Sequence, residues 1–353
     1  MSGFRYAAEY TGAIVPFAPI LPEDDLLHPF EAGAPHTRIE TYLLGFNVPE
    51  QAINCNIYLL WHPVLGCMSA HIFVTHGAVI YRHQLEAPYF NEHQYMPAAE
   101  GPGQFELQLG ACTARIVVEE PLRRIAIRFA DAERDFEVDL VSEAALPPVG
   151  RPGGKHFTQL MRNRGVLRLS GQDFVIDSYY MRDRSWGYER PEGAEAAPPY
   201  RWITGWSEKG DGMVIAWLDT EMMGSAFSDW RNETSGERAA NKWEHGGATP
   251  GVTLRSGWIS SGGEVRAVRS AQIGCEGDPA DPRLTRSILL QITDELGEIH
   301  EIRGTVRQSY PKMYWQTMLT WMHMVDFNWN GVSGHGDLMD TFSHWHFRPP
   351  EGA

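Results

Sequence analysis

No stretch of this sequence holds the roughly 18 consecutive apolar residues that a membrane helix needs. Runs such as 57–61 break off early, so a helical membrane span is excluded. Residues 1–17 lack both the basic start and the continuous apolar centre of a secretory leader, and the expected location is the cytoplasm. Cysteine is scarce. Cys55, Cys67, Cys112 and Cys275 stand far apart with no C-x-x-C pair, which removes the common redox and zinc spacings and predicts buried free thiols. There is no Walker loop and no G-x-S-x-G elbow, and Gly331, Gly334 and Gly336 are spaced as a strand-to-strand turn rather than as a nucleotide loop. Basic residues number 30 against 45 acidic, a net charge of −15, and a surface of that sign repels phosphate backbones, so nucleic acid is not an expected partner. Helical periodicity is nearly absent.

What the chain has instead is large, adaptable apolar side chains: 12 Trp, 13 Met, 15 Phe and 13 Tyr. They suit either the lining of an apolar cavity or an ordinary β core. Short alternating or β-rich segments recur between turn signals at 38–46, 54–61, 71–74, 77–85, 105–109, 114–118, 124–129 and 135–141. The pattern resumes with longer segments at 166–169, 174–183, 202–207, 213–219, 252–259, 266–273, 287–292, 299–308, 314–327 and 341–347. Many strands with little helix predict an all-β chain of antiparallel barrels or sandwiches. A length of 353 residues exceeds the usual single domain, and the Pro- and Gly-rich stretch 142–154 cannot continue a ladder, so the expected domains are 1–145 and 146–353. The polar stretches 189–199 and 228–249 are long enough to act as flaps over an opening, or to be plain surface loops.

Chemistry concentrates in residues 177–187. On a strand, Tyr179, Met181, Asp183 and Ser185 share one face, and Tyr180, Arg182, Arg184 and Trp186 share the other. A carboxyl at Asp183 inside a barrel must pair with an arginine or become protonated, and a protonated carboxyl in an apolar site is a competent general acid. The structural alternative is that Arg182, Asp183 and Arg184 form an ion-pair network that closes a barrel or joins the two halves.

The run Phe157-Thr-Gln-Leu-Met-Arg-Asn-Arg-Gly165, followed by Gly171, Asp177 and Tyr180-Met-Arg-Asp-Arg-Ser-Trp-Gly-Tyr188, resembles the lipocalin-like superfamily that includes hydroxyneurosporene synthase (carotenoid 1,2-hydratase) and AttH-like proteins. In that superfamily the motif is expected as R-D-H-S-W-G. Arg184 stands here in place of its histidine. The resemblance implies two consecutive lipocalin-like (calycin) barrels or half-barrels packed together around a cavity, and it admits hydratases, cyclases and isomerases. Reaction is inherited less safely than fold.

Near the C-terminus, Trp321, His323 and Asp326 lie close in sequence, and His344 and His346 share a strand face as reserve metal ligands. The row Tyr314, Gln316, Met318, Thr320, Met322, Met324, Asp326 alternates with Trp315, Thr317, Leu319, Trp321, His323, Val325, and either side can line a pocket or pack a core. These residues lead to a cofactor-independent lyase or isomerase acting on an apolar isoprenoid or aromatic small molecule. Asp183 is the first candidate acid, with Tyr180 or Tyr179 as donor or orienter and His323 with Asp326 as a reserve acid–base pair. Trp186, Arg182, Arg184, Trp321, Met322 and Trp202 are the candidate substrate-binding residues. Two rivals share the pocket: a carbon–carbon lyase that releases a small aldehyde and relies on His323, His344 or His346 as base, and a carrier without catalysis. Neither an organic cofactor nor a resident metal is expected, and a homo-oligomer is compatible with the sequence.

Overall fold

A computed structural model describes residues 6–11, 14–29, 32–77, 84–95, 101–189, 200–219, 252–278, 284–315 and 318–343, and among them there is no α-helix. The predicted flaps fall largely outside these residues. Two antiparallel sheets account for nearly everything described.

Strict alternation builds the plainest part of the first sheet. In β6 (Gln104–Leu109), β7 (Cys112–Glu120), β8 (Arg124–Asp131) and β9 (Phe136–Ala144) nearly every second side chain is buried. Period-two sequences such as Phe105-Glu-Leu-Gln-Leu109 put their apolar half on one face of the pleat. By contrast, β2 (Arg38–Val48), β3 (Ile53–His62) and β4 (Cys67–His76) are buried on both faces. The strand order is β5 (Ala87–Tyr95), β4, β3, β2, β12 (Gln172–Glu189), β11 (His156–Leu169), β9, β8, β7, β6, with the short β10 (Val149–Gly150) on β11. Side chains bridge the two edges: Asn91 Nδ2 donates to the Gln108 carbonyl at 3.0 Å, and Gln108 N donates to Gln94 Oε1 at 3.2 Å. The sheet is therefore a near-closed barrel. Its interior is a filled apolar core that runs from Tyr42, Phe46 and Ile57 to Phe129 and Ile176.

The Pro- and Gly-rich stretch at 142–154 does not divide the chain. The strands on either side of it pair directly, from Leu169 opposite Phe136 to Met161 opposite Ala144. Composition marks where a ladder stops, not whether it resumes on the same sheet. The compact units are 16–190 and, separately, 1–15 with 191–353, so the expected split at 145/146 gives way to one at 190/191.

In the second unit β13 (Tyr200–Ser207), β14 (Gly212–Asp219), β15 (Val252–Ser261), β16 (Glu264–Gly277), β17 (Thr285–Asp294), β18 (Ile299–Trp315), β19 (Met318–Trp329) and β20 (Val332–Ser343) form a ring. Pairing of β13 with β20 and of β16 with β17 closes it. The single segment expected over 314–327 is thus a β18–β19 hairpin, and residues 316 and 317 lie outside the described set. β1 (Tyr6–Thr11) adds a ninth strand, pairing with residues 270–275 of β16. Phe327 packs into the barrel core because Gly304 and Gly336 leave it room: a Cβ at either would come within 2.7 Å of its ring.

All four cysteines are free and buried. Burial, above all else, pushes the Cys112 thiol up to about 12. The native chain is accordingly expected to resist a thiol reagent such as dithiobis-nitrobenzoate at pH 8, with all four groups reacting once denaturant is added. Rapid labelling of the native chain would contradict the burial described.

Candidate functional site

In β12 the even-numbered side chains face the odd-numbered ones of β11: Arg184 stands opposite Phe157, Arg182 opposite Gln159 and Tyr180 opposite Met161. Arg182 donates from Nη1 to Asp25 Oδ1 at 2.6 Å and from Nη2 to Asp25 Oδ2 at 3.0 Å, a bidentate pair with both residues fully buried. Gln159 Oε1 accepts from Arg182 Nε and Nη2, while Gln159 Nε2 donates to the carbonyls of Leu122 and Leu146. Asp25 belongs to a one-turn 3-10 helix, Pro22–Asp25, and also accepts from Leu122 N at 2.6 Å. Arg184 donates to Glu40 and to the carbonyls of Leu26 and Ser185, and its guanidinium lies 4.2 Å from the centre of the Tyr42 ring. His28 donates from Nδ1 to Glu40 Oε1 at 3.2 Å and stacks on Trp186 with centroids 5.6 Å apart. The motif arginines therefore clamp residues 22–28 to the barrel wall. Asp25 and Glu40 are thus carboxylates that Arg182 and Arg184 hold in buried ion pairs.

Asp183 sits half-buried on the opposite face, with Thr158 of β11 and Leu43 of β2 as its rung neighbours. Tyr179 is on that face too, half-buried, under the Arg162 guanidinium at 4.5 Å. Tyr180 is turned the other way and buried. Its hydroxyl accepts from Asn56 Nδ2 at 3.3 Å, and its ring packs where a side chain at Gly45 would be. The chemistry expected from residues 179–186 is thus divided between two faces.

The second barrel gathers another set. Two inward rungs follow its apolar core: Arg201–Asp340–Trp321–Pro311, and Ile203–Leu338–His323–Ser309. Arg201 Nε lies 3.2 Å from Asp340 Oδ1, and His323 Nδ1 shares a hydrogen bond of 2.7 Å with Ser309 Oγ, all four residues being buried. His323 and Asp340 are diagonal neighbours on adjacent strands. An imidazole held by a hydroxyl, an indole and a neutralised arginine–carboxylate pair can bind a largely apolar compound and move a proton on it.

Asp326 does not join His323. Three residues apart on one strand, the two point to opposite sides of β19. Asp326 accepts from Arg307 Nε at 2.8 Å and pairs with His335 Nδ1 at 3.1 Å. Burial raises its pKa, but the hydrogen bond to His335 and the charge of Arg307 outweigh that and hold the carboxyl below its usual value. Trp202 and Met322 also face away from the inward rungs, in one buried row with Met339 and Tyr310. Of the residues expected to bind substrate, only Trp321 accompanies His323. His344 and His346 lie outside the described residues.

Sequence reading missed Asp25, Glu40, His28, Ser309 and Arg201, and it placed Asp340 only in the C-terminal cluster, without its partner. Ser309 meets His323 only because β18 slips by one residue between Val306 and Gln308; without that bulge Gln308 would face the imidazole. Nothing in the local composition announces it. Arg201 and Asp340 are far apart in sequence and become partners only through the β13–β20 ladder.

One further cluster, Asp294, Glu298 and His300, brings its ligand atoms within 4.8 Å of one another. Arg266 Nη1 already lies 2.9 Å from Asp294 and 2.6 Å from Glu298, filling the place of a cation. Burial raises the Asp294 pKa, but the Arg266 hydrogen bond and the turn amides of Glu298 and Leu296 win and depress it. A depressed carboxyl stabilises the fold above its unfolded pKa of about 4 and ceases to as pH falls through the folded value. The urea midpoint of Asp294→Asn is therefore expected below that of the parent at pH 7, the gap narrowing by pH 3. A gap that is constant with pH would remove the ion pair as its cause.

The chain belongs to the family described as Domain of unknown function (DUF7064), whose profile matches residues 21–346. No protein of curated function matches it in sequence. Among solved structures it is similar to an AttH-type protein of Nitrosomonas europaea (15% identity, TM-score 0.51, covering 89% of this chain and 98% of that one). It is similar to CghA (12%, TM-score 0.56, 96% and 98%) and to kievitone hydratase of Nectria haematococca (11%, TM-score 0.53, 91% and 94%). At these identities the likeness is one of fold.

Proposed function

We propose that this member of the DUF7064 family is a lyase or isomerase of hydratase or cyclase type, which moves a proton on an apolar small molecule from the interior of its second barrel. The observation that carries this reading is the buried His323–Ser309 pair, turned inward beside Trp321 and the Arg201–Asp340 ion pair at the end of an apolar core. With Ser309 donating to Nδ1, the imidazole keeps its proton on Nε2; with the opposite tautomer, Nε2 is a base. In a hydration, His323 in its protonated form gives a proton to one alkene carbon and water attacks the other. The adding water returns its proton to the imidazole, so H and OH are gained and the enzyme is unchanged. In an isomerisation the same nitrogen takes a proton from one carbon and delivers it to another.

Positive charge that develops on carbon is stabilised by an indole face, the role proposed for Trp321. The Arg201–Asp340 pair is neutral overall, which favours a substrate without net charge, such as an isoprenoid alkene or a phenolic enone. A fold neighbour whose name is kievitone hydratase lends hydration weight as the reaction to test first.

The test incubates the full chain with a panel of isoprenoid alkenes and phenolic enones in heavy water and, separately, in ¹⁸O-water. Entry of label into a panel compound, followed by mass spectrometry, is the expected result, and His323→Asn is expected to slow it by about a hundredfold or more. Binding of panel compounds without any label would make the chain a carrier. Equal labelling by His323→Asn would move the chemistry away from this rung.

A further inference from the structure

The first unit has a pocket of its own, of about 260 Å³, where His28, Pro29, Ala34, Arg38 and Glu40 meet the end of the motif strand. It owes nothing to the His323 reading. Its wall is the His28–Trp186 stack, continued by Pro63 and Val64, and its polar groups are His28, Arg38, Glu40 and Lys155.

The charges are unequal. Glu40, the one acid among them, is buried and already holds Arg184 and His28, so its charge is spent behind the wall. Lys155 is exposed, and among the described residues no carboxylate pairs with it. Its backbone is in the left-handed region, φ 59°, which is uncommon for a residue other than glycine and asparagine. The next strand fixes that conformation, since Trp186 N donates to the Lys155 carbonyl at 3.1 Å. The stem of Lys155 then lies across Gly187, where a Cβ would stand 3.6 Å from Nζ. On a chain of net charge −15, this places one unpaired ammonium beside an aromatic wall.

We propose that this pocket binds a small organic carboxylate with an apolar body, its anion held by Lys155 and its body laid against Trp186, Pro63 and Val64. His28 contributes its Nε2 edge, because Nδ1 is committed to Glu40. The volume lies under the roughly 300 Å³ at the lower end of ligand pockets, which limits the body to about one ring.

Binding of benzoate and of its neutral isostere benzamide to the full chain, measured by ligand-observed NMR and calorimetry, tests this. Benzoate is expected to bind at least about tenfold more tightly than benzamide, the worth of one charge-assisted contact. Lys155→Glu, at an exposed position, is expected to weaken benzoate by about tenfold or more and to leave benzamide unchanged. Trp186→Leu is expected to weaken both. Equal affinity for the two compounds, benzoate affinity indifferent to Lys155→Glu, or no binding of benzoate at millimolar concentration would each overturn the proposal. Competition by acetate as strong as by benzoate would reduce the site to an anion hole without a place for the apolar body.

Discussion

Asp25→Ala is expected to destabilise the first unit by about 3–5 kcal/mol, the usual cost of removing one partner from a fully buried ion pair. Asp25 and Arg182 are 0% and 1% exposed, and Asp25 receives two guanidinium hydrogen bonds and the Leu122 amide. Truncation leaves the guanidinium with only Gln159 Oε1 as acceptor, in a place water does not reach. For a unit of this size the loss lowers the unfolding midpoint by on the order of 10 °C, which thermal unfolding followed by circular dichroism measures. A double variant, Asp25→Leu with Arg182→Met, is expected to recover most of it, because the uncompensated charge is what costs. If Asp25→Ala changes the midpoint by a degree or less, residues 22–28 are not held by this pair.

The second large effect is on turnover. For any compound that takes up solvent label, His323→Asn is expected to lower the rate by about 10²–10⁴-fold, the range over which a positioned acid–base group acts. Ser309→Ala is expected to lower it less, since Ser309 orients the imidazole and touches no reacting atom in this reading. The pH–rate profile separates the two roles: Ser309→Ala shifts a limb of the profile, whereas His323→Asn removes it. Asp183→Asn is the informative companion. Full turnover in that variant takes the carboxyl out of consideration as the acid, while a folded variant that has lost turnover would restore the motif strand to the chemistry.

Much of the fold was legible because period two is a local property. Phe105-Glu-Leu-Gln-Leu109 declares its buried face without help from its partners, and so does Ile125-Ala-Ile-Arg-Phe129. The two faces of residues 179–186 were equally readable. What the sequence could not carry was register. The partners of Arg182 and Arg184 come from a short 3-10 turn and from β2, far back along the chain. The Ser309–His323 contact hangs on a one-residue slip. The Pro-rich stretch at 142–154 misled because a break in a ladder looks the same whether the next strand rejoins the sheet or leaves it.

The first strand sets an order of events. Of the described strands β1 is made first, yet the residues that pair with it, 270–275, emerge only after the whole of 16–190 has left the ribosome. At about 5–20 residues per second the inserted barrel has many seconds in which to close first, while residues 6–11 wait as an unsatisfied edge seeker. The second barrel is thus joined by a strand made before the rest of it, across the largest sequence separation of any strand pairing among the described residues, and its completion is the slow, non-local step. A fragment starting at 191 would be born without that strand, leaving the 270–275 stretch of β16 as an open ladder for other chains to join.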